Sequence, residues 1–406
     1  MKNLNPIYLK PTIIIYFVVI FVISINLIYA QTDNWQTFID NAQKQENLYH
    51  YSRAEKLLNQ AIEKAKKSKL QTTKLFTSLT NLALLYQTQG KYAQAEPLFK
   101  QAITINKKTS RSENSNTAYC FTNLALLYQA QGQYTQAEPL FKQALAINKK
   151  TLGRIYHENV AEDLNNLGSL YVNQHKYKQA EALFKQALII DEKVFGLNHP
   201  NICKSLYNLA NIFELQGNYL QSEKLFKRAL SINQTVIKLQ PTLIALSLTN
   251  LATFYQTQSK YAQAEPLFKQ ALSIREKFLD PNNPNIALSL SNLALLYQAQ
   301  GKYAQAKILF KQALTINDKS LGLCHPQVAS TLTNIAMIYN LQDNYIKAEP
   351  LLQHALVINV KAYGLHNPKI VPNLNNLALV LRKLNKLLQA QKLELRAKVI
   401  LENNHN

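Results

Sequence analysis

The chain has 406 residues, which exceeds a typical single globular domain, although a solenoid can reach this length by adding units. Only 9 Gly and 13 Pro, among abundant Leu, Ala, Gln, Lys and Asn, fit an all-helical protein without strands. Forty-five basic against 24 acidic residues give a net charge of +21 at pH 7, so anionic partners have to be considered.

The first 30 residues (1–30) differ from the rest of the chain. Lys2 and Lys10 precede eleven apolar residues, 13–23, and Ala30 could end the segment at a cleavage site. This order is typical of a secretory signal peptide. The apolar segment also approaches the length of a bilayer span, so an uncleaved membrane anchor and a buried helix stay open as alternatives. With either a signal peptide or an anchor, the remainder is exported and lies in the periplasm, outside the cell or at a membrane.

Residues 31–75 predict a degenerate capping repeat. The segment from Tyr51 to Ala61 matches the second helix of the repeats that follow, and residues 35–48 supply a partner helix. A degenerate unit fits the end of a solenoid, because the outer surface of a terminal unit must face water. Residues 386–406 also turn polar and predict a C-terminal capping helix and tail.

One short unit recurs throughout residues 76–385, and its clearest copy reads NLALLYQTQGKYAQAEPLFKQAITIN. A constant period of about 42 residues indicates a repeat architecture, in which each unit buries its apolar face against its neighbours. The spacing between the starts of successive copies is constant, except that the spacing from Asn123 to Asn166 is longer by a single residue. The copies start at Asn81, Asn123, Asn166, Asn208, Asn250, Asn292, Asn334 and Asn376.

Each copy predicts two helices. In the first copy, Leu82, Ala83 and Tyr86 fall on one apolar stripe, and Phe99 belongs to a second stripe. Gly90 lies between the stripes and suits a turn that needs a positive φ. We therefore predict an all-α fold, an α-solenoid that forms a right-handed superhelix of antiparallel helix pairs. It comprises about eight units and a degenerate N-terminal unit.

The order of small residue, Tyr, Gly, Tyr, Ala, Phe and Ala resembles the tetratricopeptide repeat. The longer period and the turn Gly-Leu-Asn-His-Pro at 196–200 are similar to the kinesin-light-chain subclass. The resemblance covers about residues 76–400, but Ser259 and Asp343 replace the turn glycine and Glu394 replaces the last aromatic. No heptad coiled coil precedes the repeats, which argues against a kinesin motor subunit.

The asparagine that starts each copy requires an explanation, because Asn is a poor helix former. Its amide can both donate to and accept from a peptide backbone. In the tetratricopeptide family the first helix lines a concave groove, and an Asn at this position contacts an extended ligand. The resemblance therefore implies a peptide-binding groove that contains an asparagine ladder. The alternative is that each Asn bonds a neighbouring helix within the array. The ladder consists of Asn81, Asn123, Asn166, Asn208, Asn250, Asn292, Asn334 and Asn376.

A lysine follows the aromatic of the second helix in six copies. One helical step rotates the side chain by about 100°, off the buried stripe, so these lysines should form a basic ribbon on the outer surface. The lysine ribbon is either a solvated face or a contact for an anionic envelope surface or an acidic partner. Its members are Lys100, Lys142, Lys185, Lys227, Lys269 and Lys311.

Motifs for catalysis are absent from the sequence. It has no Gly-rich dinucleotide motif, P-loop, His-Glu-x-x-His or Gly-x-Ser-x-Gly. His157, His175, His199, His325 and His366 fall in turns, and Cys324-His325 is an isolated pair that is too weak for a metal site. Cys120, Cys203 and Cys324 contain no Cys-x-x-Cys spacing; they are either small buried hydrophobes or, in an exported chain, include an unpaired thiol. We expect no enzyme, cofactor, metal or small-molecule substrate.

These patterns favour a non-catalytic, exported scaffold that binds a protein or peptide partner in the groove. The alternative is a structural or surface-associated envelope protein that uses the basic outer face to contact anionic surfaces. Nucleic acid is disfavoured, because the aromatics lie at core spacing rather than as a stacking platform.

Overall fold

A computed structural model describes residues 35–46, 50–67, 71–109, 114–151, 157–236 and 240–405. The chain divides into two compact units, residues 1–85 and residues 86–406. The predicted signal peptide or anchor at residues 1–30 lies outside the described part. No helix within the described part combines the length and the apolar character needed to cross a membrane.

The first unit contains helix α1 (35–46), helix α2 (Tyr51–Lys67) and most of helix α3 (Gln71–Thr88). Helix α2 forms from an apolar stripe at helical spacing, in which Ala54, Leu58 and Ala61 are buried. Trp35 Nε1 donates a hydrogen bond to Ser78 Oγ at 2.9 Å, which ties α1 to α3. The capping role of residues 31–75 remains a prediction.

The second unit continues the helical pattern to the end of the described chain. Its helices are α4 (Tyr92–Thr109), α5 (Ser115–Ala130), α6 (Tyr134–Thr151), α7 (Glu158–Asn173), α8 (Tyr177–Phe195), α9 (Cys203–Leu215), α10 (Tyr219–Gln234), α11 (Pro241–Thr257), α12 (Tyr261–Phe278), α13 (Pro284–Ala299), α14 (Tyr303–Leu321), α15 (Pro326–Leu341), α16 (Tyr345–Tyr363), α17 (Val371–Lys383) and α18 (Leu387–His405). One-turn 3₁₀ helices, Pro200–Ile202 and Pro368–Ile370, precede α9 and α17.

Consecutive helices of the second unit pack in pairs, α5 with α6 through α17 with α18, and each pair packs on the next. Short turns join the members of a pair, so the two helices run antiparallel. No strand occurs in the described part of the chain. The predicted all-α solenoid is confirmed. The residue limits predicted for the array and for the C-terminal cap, 76–385 and 386–406, remain predictions.

The first helix of each pair lies on the inner side of the array. These first helices are the odd-numbered helices from α5 to α17, and the second helices are the even-numbered ones. First helices of neighbouring pairs touch each other, as α5 touches α7, α7 touches α9 and α11 touches α13. Neighbouring second helices make no comparable contact in the described part, so the array curves towards its first helices and their face is the concave one.

Aromatic side chains from the second helices fill the space between the pairs, as the sequence predicts. Residues at this position are at most 2% exposed, and the first-helix alanines opposite them are at most 1% exposed. The small residues let the helix backbones approach, and the rings occupy the volume that remains. The aromatics are Phe99, Phe141, Phe184, Phe226, Phe268 and Phe310.

The turn within each pair adopts a left-handed conformation whether or not it holds glycine. Gly90 has φ +71°, and Ser259 and Asp343, which replace glycine, have φ 55° and 57°. The N–H of Lys91 donates to the carbonyl of Tyr86 at 2.8 Å, the bond that closes a helix of this kind. The way in which the first helix ends therefore requires the left-handed conformation at this residue. Glycine only lowers the conformational energy that this conformation costs.

Gly168 is the exception among the alanines of the first helices, and the packing explains it. A Cβ built at Gly168 would lie 2.5 Å from Cε1 of Phe184, which is closer than any carbon contact allows. Here the Phe184 ring occupies the space that a methyl group fills in other copies.

We expect Gly168→Ala to lower the free energy of unfolding by about 1–3 kcal/mol, because a displaced Phe184 outweighs the gain of about 1 kcal/mol in helix propensity. Urea unfolding followed by circular dichroism measures the change. The matched control is Ser169→Ala, at a half-buried position of the same helix, which should stay within about 0.5 kcal/mol. A stabilised Gly168→Ala variant would contradict the packing explanation.

Residues near the end of the second unit contact residues near its beginning. His325 Nδ1 accepts the backbone N–H of Gln327, so its Nε2 carries the proton and donates to the carbonyl of Thr88 at 2.9 Å. Asn367 Nδ2 donates to the carbonyl of Gln131 at 2.6 Å. The turns before α15 and α17 thereby dock on the turns that follow α3 and α5, far earlier in the chain.

Candidate peptide-binding groove

Seven of the ladder asparagines lie on the first helices of the second unit, one on each helix from α5 to α17. Asn123 and Asn166 are 8% and 9% exposed, and the other five are half-buried. Asn81 is half-buried in the first unit. The seven thus occupy equivalent places on the helices that form the concave face.

Hydrogen bonds divide the ladder into two groups. Asn208 Nδ2 donates to Asn165 Oδ1 on α7 at 2.9 Å, which is the neighbouring-helix role considered as the alternative. Asn123 Nδ2 donates to the carbonyl of Tyr119 in its own helix at 2.9 Å. Five of the seven ladder side chains in the second unit make no hydrogen bond to any residue in the described part, and neither does Asn81 in the first unit. These five are Asn166, Asn250, Asn292, Asn334 and Asn376.

Two polar pockets open between neighbouring first helices, and each is lined by two ladder asparagines. The first has a volume of 230 Å³ and includes Asn123 and Asn166. It is called the acidic pocket below, because Glu162 and Asp163 also line it. The second has a volume of 320 Å³ and includes Asn334 and Asn376. The structure therefore brings ladder residues together in pairs.

A further set of buried polar residues lies where each second helix meets the next first helix, and all of them except Asn317 bond across this contact within the described chain. Asn148 Nδ2 donates to Asp163 Oδ2 at 2.7 Å, and Asn233 Nδ2 donates to Ser247 Oγ at 2.8 Å. This set was not predicted from the sequence, although its members recur with the period of the repeat. The second-helix members are Asn106, Asn148, Asp191, Asn233, Arg275, Asn317 and Asn359.

Asp163 is the most perturbed carboxyl of the concave face. It is 3% exposed, and burial raises its pKa from 3.8 to about 6. The hydrogen bonds from Asn148 and Thr122 partly oppose this rise. At neutral pH the group is ionised at a cost to stability, because its donors are neutral and water is excluded.

The lysine ribbon is exposed, but most of its charge is neutralised locally. Lys100 Nζ lies 2.6 Å from Glu96 Oε1, one helical turn earlier, and the next four ribbon lysines form the same pair at 2.6–2.7 Å. Lys311 follows Lys307 instead of a glutamate. Glu96 also accepts a hydrogen bond from Tyr128 in the next repeat, as a structural residue would. The ribbon is therefore a row of ion pairs, which does not favour contact with an anionic surface.

Two cysteines and two turn histidines take structural positions. Cys120 and Cys203 are buried, and burial raises the pKa of the Cys203 thiol to about 11. Cys324 is exposed. His199 and His325 cap the helices that follow them by accepting a backbone N–H on Nδ1. The described residues contain no cluster of three His, Cys, Asp or Glu side chains suited to a metal.

The tetratricopeptide repeat model matches four segments of the chain: 74–150, 160–235, 243–319 and 327–402. Together they cover well over half of the sequence. The chain belongs to the tetratricopeptide-repeat family. The predicted family is thereby confirmed, and membership supports a scaffold for protein–protein interaction. No curated protein matches the chain.

Solved structures of helical-repeat proteins are similar to this tetratricopeptide-repeat chain. A Rap protein complexed with Competence and Sporulation Factor is 15% identical, with a TM-score of 0.56 over 92% of this chain and 99% of that chain. BtubC (BKLC) from P. vanneervenii is 22% identical, with a TM-score of 0.46 over 57% of this chain and 91% of that chain. The putative kinesin light chain repeats of Podosopora anserina are 28% identical, with a TM-score of 0.41 over 52% and 99%. At so low an identity, the likeness to the Rap protein shows the fold alone.

Proposed function

We propose that this chain is a non-catalytic scaffold that binds an extended segment of a protein or peptide partner in its concave groove. The observation that carries the proposal is the set of five ladder side chains without a hydrogen bond to the described part of the chain. An Asn amide both donates and accepts, so a row of them matches the N–H and C=O groups of an extended backbone. Family membership supports the same role.

The proposal includes export, which rests on residues 1–30 alone. N-terminal sequencing of the mature protein, combined with cell fractionation, tests it. A mature chain that starts near Gln31 would mean cleavage, and a chain that starts at Met1 in the membrane fraction would mean an anchor. An uncleaved chain in the cytoplasmic fraction would contradict export.

Groove binding is tested by selecting an eight-residue peptide from a random displayed library on the full chain, and then measuring its Kd. We expect Asn292→Ala, Asn334→Ala and Asn376→Ala together to raise this Kd tenfold or more. Each lost hydrogen bond is worth about 0.5–1.5 kcal/mol, and three of them account for such a change. Because these amides have no partner within the described chain, their removal should leave the helix content unchanged.

The matched control carries three substitutions on the outer face: Lys185→Gln, Lys227→Gln and Lys269→Gln. Each of these lysines is paired with its own glutamate, so the Kd should stay within about twofold. Normal binding by the asparagine variant would contradict the groove, and so would a library that yields no binding peptide. Lost binding by the lysine variant alone would favour adhesion through the outer face.

A further inference from the structure

Acidic residues on the concave face are concentrated at one place. Helix α7 carries Glu158, Glu162 and Asp163 in its first two turns. Among the other first helices of the second unit, only α9 holds an acid, Glu214 near its C-terminal end. In a chain of net charge +21, the start of α7 is therefore an acidic island on the groove.

The acidic pocket forms at this island. Glu162 and Asp163 line it together with Asn123 and Asn166, two members of the ladder. Asn148, which is 5% exposed, lines it as well. Its Nδ2 is bonded to Asp163, but its Oδ1 is buried and has no hydrogen-bond partner among the described residues. An unpartnered buried acceptor usually marks a missing ligand or water.

The pocket carries a net negative charge. Lys204 is the basic residue in its lining, and its Nζ lies 3.2 Å from Glu162 Oε1 at the exposed rim. Within the described chain, Asp163 receives side-chain hydrogen bonds only from the neutral groups of Asn148 and Thr122. Two carboxylates against one ammonium leave one negative charge, on a carboxylate removed from water. Such a carboxylate gains most from a cation placed directly on it.

We infer that the acidic pocket binds a cationic side chain, that of a lysine or an arginine, from the segment that lies in the groove. The inference rests on the proposed function and adds the class of residue that the partner must carry. Asp163 accepts from the cation, and Asn148 Oδ1 is a further acceptor beside it. Asn123 and Asn166 flank the pocket and are placed to hold the backbone on either side.

The test uses pools of terminally blocked octapeptides that are random except for one fixed position, which holds Arg, Lys, Gln, norleucine or Glu. Binding to the full chain is measured by fluorescence anisotropy. We expect the Arg or Lys pools to bind at least tenfold more tightly than the Gln pool. In Asp163→Asn this preference should vanish. The control Asp191→Asn makes the same change at a buried carboxyl outside the pocket lining, and should retain the preference.

A second variant tests the pocket without altering Asp163. Leu126 is half-buried and lines the pocket, so Leu126→Lys supplies a tethered cation that competes for Asp163. It should also abolish the preference. If no pool binds, the proposed function fails and the inference fails with it. If all pools bind equally, the inference is overturned and the proposed function stands. A preference that survives in both variants would place the cation elsewhere and also overturn the inference.

Discussion

Phe226→Ala is expected to lower the free energy of unfolding by about 3–5 kcal/mol, the usual cost of truncating a buried aromatic. Phe226 is 2% exposed, and its ring lies 5.6 Å from that of Phe254 and 6.4 Å from that of Tyr207. These three rings belong to a continuous apolar cluster that runs from the start of α9 to α15. Alanine would leave a cavity between three helices, which the rigid pairs cannot close.

The position of Phe226 in the chain should also change the way in which the protein unfolds. In a repeat array each unit is stabilised by its own packing and by its contacts with the adjacent units. A weak unit near the middle separates the array into two parts that can unfold independently. We expect urea unfolding, followed by circular dichroism, to broaden or to split into two steps in Phe226→Ala.

The matched control is Phe278→Ala at the end of α12, where the ring is 53% exposed. Removing an exposed ring creates no cavity, so the free energy of unfolding should change by about 0.5 kcal/mol or less. Equal effects at the two positions would contradict the assignment of Phe226 to a continuous core.

The helix pairs and their core follow from the sequence alone, because each rests on local spacing. A stripe at Ala83 and Tyr86, a turn at Gly90 and a stripe that contains Phe99 specify two helices and their buried faces. Repetition then specifies how one pair stacks on the next. Local spacing says nothing about curvature, however. The bond from His325 to Thr88 joins residues 237 positions apart, and no periodic pattern indicates it.

The candidate site was predicted only in part, because one residue type at one repeat position takes different roles. Asn208 donates to Asn165, the residue before the ladder position on α7. In the next copy that preceding position holds Tyr207, whose hydroxyl bonds Ser247 instead. Asn250 is therefore left without a bond to the described part of the chain. The residue that precedes the ladder asparagine of the previous copy therefore determines the role of the amide. The amide is structural where that residue can accept its hydrogen bond, and is open to a ligand where it cannot.

The sequence predicts correctly that the lysine ribbon is exposed. It predicts the net charge of the ribbon only in part. Its exposure follows from the helical step, but its pairing follows from a glutamate four residues earlier in five of the six copies. That glutamate is visible in the sequence as a second recurrence. The recurring glutamate and the recurring lysine together predict a row of ion pairs, since a glutamate and a lysine in this order at i and i+4 pair readily on a helix.

Asp163→Asn is expected to stabilise the protein at neutral pH by about 1–3 kcal/mol, since each pKa unit corresponds to about 1.4 kcal/mol. The pKa of Asp163 is about 6 in the folded chain, against 3.8 for an unperturbed carboxyl. The folded state therefore binds the proton more tightly than the unfolded state does. The stability that protonated Asp163 contributes is fully present below pH 3.8, and is lost as the pH rises through about 6. Asparagine cannot ionise, so the variant avoids this loss.

Urea midpoints of the wild-type chain and of Asp163→Asn, measured from pH 4 to pH 8, test this expectation. The difference between them should grow between about pH 4 and pH 6 and then stay constant. Ser169→Ala, which changes no ionisable group, should show no such growth. A difference that is flat with pH would mean that Asp163 is not desolvated. If the growth is found, the pocket keeps a carboxylate that weakens the free protein at neutral pH, and a cationic ligand would relieve that cost by pairing with it.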